Sequence, residues 1–296
     1  MSRSGAVAAP ILLLDLFSLF YRAFYALPPM CTVAGEPTSG LYGLSVLVLK
    51  LFREQRPAGA AFALDTSSPT FRHESYDEYK ATRGVAPGPL TAQFDRLGQL
   101  VAALGFPAFK SVGYEGDDVL ATLARELVAA GESPLVVSGD NDCLQLAGGA
   151  TRVMIVSRGA TKAEIYDEAA VVRRFGVTPA QMPDRSALVG DPSDNLPGVP
   201  GIGAKTASEL VRRFGSISGI LERLEEVRPV RAREAIRAAA ERLPLYLRLA
   251  RLRDDVPLEP GPRYAPITPE ARERVRRLFT ELEFRSLLGR MDAAFG

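Results

Sequence analysis

The sequence predicts an α/β fold in which a parallel, doubly wound sheet is followed by an all-helical region. Short apolar runs, each ended by an acidic residue, alternate with amphipathic helical patterns up to about residue 176. Such runs are typical of buried parallel strands, and their alternation with helices is typical of a doubly wound sheet. We therefore predict an α/β domain over residues 1–177 and a helical region over residues 178–296.

The predicted strands deliver carboxylates to one edge of the sheet. The apolar runs and the acids that follow them are Ile11–Leu14 with Asp15, Ala60–Leu64 with Asp65, and Leu135–Val137 with Asp140 and Asp142. Two further acidic groups are Glu115, Asp117 and Asp118 at a helix start, and Asp191 and Asp194 beyond the sheet. Because ligands bind at the carboxyl ends of strands in open α/β sheets, we expect these five segments to converge there.

A cleft lined by so many carboxylates requires cations. Each like-charged pair at ~4 Å and an effective dielectric near 20 costs roughly 4 kcal/mol. Oxygen ligands suit Mg²⁺ or Mn²⁺ rather than zinc, so the hypothesis is a two-metal phosphodiesterase. Any single Asp after a strand is more often a turn or helix-cap residue. Caps alone explain five such segments much less easily.

The bulk composition is that of a globular protein with sorted charges. The hydrophobic content is 47%, the charged content is 24% and the net charge is +1. Arginines are dense in 228–253 and 272–277, which fits an anionic substrate, although ordinary solvated helix faces explain them equally well. His73 is the only histidine, so a Ser-His or His-based general-base mechanism is disfavoured.

Cys31 and Cys143 are isolated thiols without metal-ligand spacing. They favour a reducing compartment. No uninterrupted apolar stretch approaches the length of a membrane span. We expect a cytoplasmic, monomeric protein.

Two segments look suited to nucleic acid. Residues 66–89 interleave basic residues with aromatics, among them Arg72, Tyr76, Tyr79, Lys80 and Arg83. Aromatic side chains stack on unpaired bases while cations follow phosphates, and the alternative for this segment is a solvated surface helix. A further candidate phosphate ligand, Arg22, follows closely after Asp15.

The second segment is rich in glycine. Gly198, Gly201 and Gly203 precede a predicted helix that has Lys205 and Thr206 in its first turn. Backbone N–H groups at such a helix start can hold a phosphate. The spacing is not that of a nucleotide P-loop.

Together these stretches resemble the 5′-3′ exonuclease and flap-endonuclease family, most closely the N-terminal nuclease domain of bacterial DNA polymerase I and its free-standing relatives. The matching motifs are Phe71-Arg-His-Glu74, Tyr79-Lys-x-x-Arg83, Gly113-Tyr-Glu-x-Asp-Asp-Val119, Gly139-Asp-x-Asp142 and Gly190-Asp-x-Ser-Asp-Asn-Leu-Pro-Gly-Val-Pro-Gly-Ile-Gly-x-Lys-Thr-Ala207. The resemblance covers nearly the whole chain, and no polymerase region follows, which suggests a stand-alone nuclease or an excised domain.

The resemblance implies a PIN/resolvase-like sheet with a helical arch over about 66–89 and a helix–three-turn–helix over about 186–215. The residues at the positions of the family's metal ligands are Asp15, Asp65, Glu115, Asp117, Asp118, Asp140, Asp142, Asp191 and Asp194. Lys80 and Arg83 match bases of the arch beside the scissile phosphate. Gly198–Ala207 matches the turn that grips duplex DNA and that holds K⁺ in some relatives.

The implied activity is hydrolysis of DNA from 5′ ends and at 5′ flaps with two Mg²⁺ ions, for which Mn²⁺ can substitute, in replication and repair. The implied partners are flapped, nicked or gapped duplexes. Leu16 stands where the family commonly has Gly, and Asn141 where it commonly has Lys. These departures leave open a catalytically weakened branched-DNA-binding protein. A PIN-type ribonuclease is a third possibility, which the Gly198–Ala207 motif disfavours.

Overall fold

The computed structural model describes residues 9–157 and 163–296. In these residues one six-stranded sheet carries the α/β part. Its strands are β1 (Ile11–Asp15), β2 (Gly59–Ala63), β3 (Ala108–Phe109), β4 (Pro134–Ser138), β5 (Arg152–Val156) and β6 (Ala163–Tyr166). They lie in the order β3-β2-β1-β4-β5-β6. All pairs are parallel except β5 and β6.

Helices cover both faces of this sheet and make up the C-terminal half. The helices before residue 177 are α1 (Leu16–Ala26), α2 (Ser39–Gln55), α3 (Phe71–Ser75), α4 (Gly88–Thr91), α5 (Phe94–Leu104), α6 (Gly116–Ala129) and α7 (Glu168–Phe175). Those after it are α8 (Met182–Val189), α9 (Ala204–Phe214), α10 (Ile217–Glu222), α11 (Val230–Ala239), α12 (Leu243–Ala250), α13 (Pro269–Glu281) and α14 (Arg285–Phe295). Short 3₁₀ turns cover Asn141–Leu146, Pro179–Gln181 and Leu224–Glu226.

Strand β1 lies at the centre of the sheet and separates two apolar cores. Ile11 and Leu13 belong to the core that contains α6 and continues into the helical region, whereas Leu12 and Leu14 belong to the core beneath α1, α2 and α5. Successive side chains of a strand point to opposite faces. Because both faces are covered, β1 is apolar throughout until its last residue, Asp15.

The C-terminal helices return to the α/β part. Helix α13 contacts α5, and α14 contacts α2. Val275, Phe279 and Phe295 lie in the same core as Leu12 and Leu14. Residues 269–295 thus pack with the sheet's helical layer rather than extending the helical region that begins at residue 178. Several arginines of the dense stretches are also paired locally, as Arg276 is with Asp292 at 2.9 Å.

The α/β class and the helical second half are as predicted, but three details differ. The edge strand β6 is antiparallel, so the sheet is mixed. The apolar helical pattern of residues 90–104 is divided between α4 and α5 at Gln93. The buried side chain of Gln93 accepts a hydrogen bond from the Leu41 N–H and donates one to the Pro89 carbonyl. Residues 66–89 contain helical turns only in α3 and at the start of α4, so the arch segment is mostly turns and loop. Among the described residues, no helix combines the length and apolar character needed to cross a bilayer.

Candidate active site

Asp15 lies at the carboxyl end of the central strand and accepts two hydrogen bonds. Its carboxylate accepts a hydrogen bond from the Ser18 N–H at 3.2 Å, which caps α1, and another from the Ser138 hydroxyl at 2.6 Å. The side chain is buried, and burial raises its pKa to about 7, with Asp65 and Asp140 adding to the rise. Asp15 therefore caps a helix and also lies near other carboxylates, and its role as a metal ligand stays a prediction.

Asp117 approaches Asp15 from the first turn of α6. Burial raises the pKa of Asp117 well above its ordinary value, and the charges of Asp15, Asp140 and Asp65 raise it further. The Cys143 thiol donates to Asp117 Oδ1 at 3.3 Å. Asp65 is exposed and accepts from the Gly116 N–H at 2.8 Å, at the start of the same helix.

Asp140 and Asp142 begin the 3₁₀ turn after β4. Asp140 caps this turn by accepting from the Asp142 N–H at 2.9 Å. Burial raises the pKa of both carboxyls, and the charges of Asp191 and Asp194 add to the rise. The turn after β4 and the loop after α8 therefore lie near each other.

Glu115 and Asp194 have cationic partners, unlike the carboxylates described so far. Lys80 Nζ lies 2.7 Å from Glu115 Oε1 and 3.9 Å from Asp194 Oδ1. The Tyr79 hydroxyl contacts both carboxylates, at 3.0 and 2.8 Å, and Arg83 lies 2.9 Å from Asp194. Burial opposes ionisation of Glu115, but Lys80 and Arg72 outweigh it and lower its pKa.

Lys80 has an unusual backbone. Its φ is +56°, in the left-handed region that residues with a side chain seldom adopt. Its N–H donates to the Asp194 carbonyl at 3.1 Å, and the Asn195 side chain donates to the Glu78 carbonyl at 2.8 Å. These two hydrogen bonds between the arch segment and the loop after α8 hold the conformation that directs the Lys80 ammonium into the cleft.

Asp118 and Arg72 do not take the roles expected of them. Asp118 is fully buried, and its two oxygens accept from the Arg72 guanidinium at 2.6 and 2.8 Å. Arg72 is 1% exposed, too deeply buried to reach a DNA backbone. The pair is a structural ion pair, in place of the expected metal ligand and DNA contact. Tyr79 is likewise 2% exposed, so its ring is part of the core rather than a stacking platform for bases.

The loop between α8 and α9 contains the predicted glycine turn. Gly198 has φ +63°, and a Cβ there would lie 2.4 Å from the Gly190 nitrogen, so only glycine fits. Gly201 has φ +83°. Gly203 begins α9 without a side-chain cap, and Lys205 beside it is exposed. This helix start is accessible to a phosphate.

The remaining residues predicted to bind DNA or metal lie at separate places around the cleft. Arg22 donates to the Gly139 carbonyl and lies along that glycine, directly before Asp140. The Tyr76 hydroxyl donates to Glu78 at 2.9 Å. Asp191 accepts from the Ser193 N–H at 2.7 Å and faces the turn after β4. Thr206 is half-buried in the first turn of α9.

The side chains fit divalent cations by their chemistry. Over residues 9–157 and 163–296, no three Asp, Glu, His or Cys side chains form a finished ion-binding set as they stand. However, burial raises the pKa of Asp15, Asp117, Asp140 and Asp142, and charges of neighbouring carboxylates raise each of them further. An all-oxygen set of mutually repelling carboxylates matches hard divalent cations.

Three residues of the site were not identified from the sequence. Ser138 binds Asp15 and also accepts from the Asp140 N–H at 3.0 Å, and Cys143 binds Asp117. Gln145 connects the Asp142 carbonyl to the segment after α12. The position of Ser138 at the end of a strand, beside Asp140, was a usable signal. Cys143 and Gln145 offered none, because Asp117 and the segment after α12, which they contact, are distant from them in sequence.

The sheet edge is thus lined by carboxylates and bordered by Lys80, Arg83 and a glycine-rich helix start. Two family models match consecutive parts of this chain: the 5′-3′ exonuclease N-terminal resolvase-like domain over residues 10–176, and the 5′-3′ exonuclease C-terminal SAM fold over residues 177–273. The chain belongs to the 5′-3′ exonuclease family, as its motifs predict.

Similar curated proteins include DNA polymerases I. Identity is 41% to the Mycobacterium leprae protein over 96% of this chain and 31% of that protein. It is 40% to the thermostable Thermus thermophilus enzyme over 94% of this chain and 32% of that protein. The chain spans about a third of the length of these relatives.

Solved structures share the fold. A phage T5 D15 protein crystallised with metal ions aligns with a TM-score of 0.67 at 18% identity, covering 96% of this chain and 99% of that one. The Methanococcus jannaschii flap endonuclease-1 aligns with a TM-score of 0.60 at 18% identity, covering 98% of this chain and 92% of that one. At these identities the likeness establishes the architecture alone.

Proposed function

We propose that this chain hydrolyses DNA phosphodiester bonds at 5′ ends and at 5′ flaps, as a metal-dependent nuclease of replication and repair. One observation carries the proposal. The carboxylates of Asp15, Asp117, Asp140 and Asp142 lie in one cleft, and Lys80 lies at its border. Family membership supports the same chemistry. The substrates are duplexes with a 5′ flap, nick or gap.

Two Mg²⁺ ions are the proposed cofactor, and Mn²⁺ is expected to substitute. The residues proposed to hold them, directly or through water, are Asp15, Asp65, Glu115, Asp117, Asp140, Asp142, Asp191 and Asp194. Bound Mg²⁺ would supply a water of lowered pKa and a counter-charge for the leaving 3′ oxygen. The chain itself has to hold the cations, position the phosphate and exclude competing ligands.

Lys80 and Arg83 are proposed to receive the scissile phosphate. Without DNA, they pair with Glu115 and Asp194 at 2.7 and 2.9 Å. A phosphate that enters the cleft offers these cations an alternative partner, while a metal ion can replace them on the carboxylates. Positive groups already directed at the reacting phosphate stabilise the charge that builds during its transfer.

The turn from Gly198 to Thr206 is proposed to hold the duplex arm. Its positive-φ glycines and the uncapped start of α9 leave backbone N–H groups available for a phosphate, with Lys205 adding charge. Carbonyl oxygens of the same turn are a proposed site for K⁺. Leu16 is buried and Asn141 is exposed, and neither departure from the family pattern falls on a proposed ligand.

The test is cleavage of a 5′-labelled flap oligonucleotide by the double variant Asp140→Asn with Asp142→Asn. Cleavage in Mg²⁺ should be abolished, while flap binding in Ca²⁺ should survive. Asp167→Asn is a matched control, because Asp167 also caps a helix, α7, by accepting from the Ala170 N–H. Unchanged turnover of the double variant would refute the assignment.

Two further arms separate the alternatives. A wild-type chain that binds flaps but fails to cut them in either Mg²⁺ or Mn²⁺ would be a branched-DNA-binding protein. An RNA flap that competes as well as the DNA flap would favour a ribonuclease. We expect cutting in both metals and preference for DNA.

A further inference from the structure

One short segment of backbone is bonded to both acidic turns of the cleft. It comprises residues 249–253, the end of α12 and the three residues after it, and is here termed the strap. On one side it contacts the ion pair at the start of α6. On the other it contacts the 3₁₀ turn that carries Asp140 and Asp142.

Arg72 connects the strap to the α6 turn. Its Nε donates to the Leu249 carbonyl at 2.9 Å and its Nη2 to the Arg251 carbonyl at 3.2 Å, while both Nη groups bind Asp118. Asp118 also accepts from the Arg253 N–H at 2.9 Å and from the Glu115 N–H at 3.1 Å. The turn that carries Glu115 and Asp117 is therefore held to the strap through one guanidinium and one carboxylate.

Gln145 connects the strap to the turn after β4. Its Oε1 accepts from the Leu252 N–H at 2.9 Å, and its Nε2 donates to the Ala250 carbonyl at 3.2 Å and to the Asp142 carbonyl at 2.9 Å. The Gln145 side-chain amide thus connects the strap to the backbone of Asp142, a proposed metal ligand. A hydrophobic residue of similar size would keep the packing but lose all three bonds.

The strap is also tied to the proposed duplex-holding region. Helix α12 packs against α8, and Tyr246 and Leu249 share a core with Leu188. Helix α8 ends at Val189, directly before Asp191 and the glycine turn. The strap therefore lies between the elements proposed to hold DNA and the two turns proposed to hold metal.

We propose that Arg72 and Gln145 are positioning residues that use the strap to hold the Glu115–Asp118 turn and the Asp140–Asp142 turn at the separation that divalent cations require. This inference rests on the proposed metal-dependent function. Residues that hydrogen-bond to a metal's ligands set the orientation of those ligands, and their loss typically weakens metal affinity or activity by about 10- to 100-fold. A merely stabilising role would lower the melting temperature and leave metal affinity intact.

The experiment measures Mn²⁺ binding to Gln145→Leu without DNA, by titration calorimetry and by the electron paramagnetic resonance signal of free Mn²⁺. We expect Mn²⁺ affinity to fall about tenfold or more. The Mn²⁺ concentration needed for half-maximal single-turnover cleavage should rise in parallel, with flap affinity in Ca²⁺ unchanged. Arg72→Lys is the second variant, because lysine keeps a charge for Asp118 but lacks the fork that reaches both carbonyls.

Arg263→Gln is the matched control. Arg263 also ties the C-terminal chain to α6, through Glu126 at 2.5 Å, but it contacts neither acidic turn. Its Mn²⁺ affinity should stay within about twofold of wild type. Unchanged Mn²⁺ affinity in both Gln145→Leu and Arg72→Lys, even with a lowered melting temperature, would overturn the proposal. Because binding is measured without DNA, a wild-type chain that binds Mn²⁺ but cuts no flap would refute the nuclease function alone.

Discussion

The acidic cleft has two halves that solve the same electrostatic problem in different ways. The inner half contains Asp15, Asp117, Asp140 and Asp142, and the rim contains Glu115 and Asp194. Rim carboxylates contact Lys80 and Arg83, whereas the contacts of Asp15, Asp117 and Asp140 are hydrogen bonds from hydroxyl, thiol and backbone N–H donors. The pKa of Glu115 is accordingly lowered, and those of the inner carboxyls are raised.

The difference shows which charges the fold balances internally. At the rim, the arch segment supplies cations, so the rim carboxylates contribute to stability in their ionised form. In the inner half, ionisation opposes folding, because burial withdraws each charge from water and nearby carboxylates repel it. Such an arrangement is expected where binding of an external cation, rather than stability, determines the residues present.

The largest expected effect comes from neutralising one inner carboxylate. Asp117→Asn should lower cleavage by about 10³-fold, because a proposed ligand is lost. It should also raise the free energy of unfolding of the metal-free protein at pH 8 by about 1 kcal/mol, because a repulsive buried charge disappears. Flap cleavage assays and urea unfolding in EDTA provide the two measurements.

Glu115→Gln is the contrasting substitution at the rim. It should lower the metal-free stability by about 1–3 kcal/mol, since Lys80 and Arg72 would lose a buried ionised partner. If both variants shift stability in the same direction, the distinction between the two halves is wrong.

The next largest effect on cleavage is expected at Lys80, the more buried of the two rim cations. Lys80→Ala should slow single-turnover cleavage by about 10²-fold at saturating DNA, because a charge directed at the phosphate is removed. Flap affinity should change far less. Were affinity alone to fall, Lys80 would hold DNA rather than act on the reacting phosphate.

Much of this cleft could be predicted from the sequence, for an identifiable reason. Asp15 and Asp140 follow apolar runs, and the parallel pairing of β1 with β4 brings strand ends to one edge by topology alone. Local pattern was sufficient to locate these residues. The same logic predicted α6, whose capping box begins at Glu115.

Pairwise partners were not predictable in this way. Arg72 and Asp118 are 46 residues apart in sequence, and each belongs to a motif that matches the family. Their spacing does not distinguish a buried ion pair from a DNA contact or a metal ligand. The antiparallel direction of β6 and the return of α13 and α14 to the sheet's helical layer likewise depend on long-range packing.

The pH dependence of metal-free stability also distinguishes the inner carboxylates from those of the rim, and the expected effect is of intermediate size. The pKa of Asp15 is about 7 in the folded chain, above its ordinary 3.8. Between these values the folded state retains a proton that the unfolded state releases, so this group makes metal-free stability fall as pH rises from about 4 to about 7. Glu115 acts oppositely, because its lowered pKa provides stability that disappears as pH falls through its folded value.

Urea unfolding at pH 5, 6, 7 and 8 in EDTA should therefore show declining stability towards pH 7, and excess Mg²⁺ should remove the decline by binding the ionised carboxylates. Asp117→Asn should flatten the EDTA profile. A wild-type profile that rises from pH 5 to pH 7 in EDTA would show that the inner carboxylates are not a net source of repulsion.

The smallest expected effect separates the two rim cations from each other. The Arg83 side chain is 53% exposed, against 18% for Lys80, although both approach Asp194. Exposed ion pairs contribute little and are screened by salt, so Arg83→Ala should slow cleavage only several-fold at low ionic strength. The loss should shrink further near 0.15 M salt, while the Lys80→Ala defect should persist there. Equal losses for both variants at every salt concentration would show that burial does not determine how strongly a rim cation acts on the phosphate.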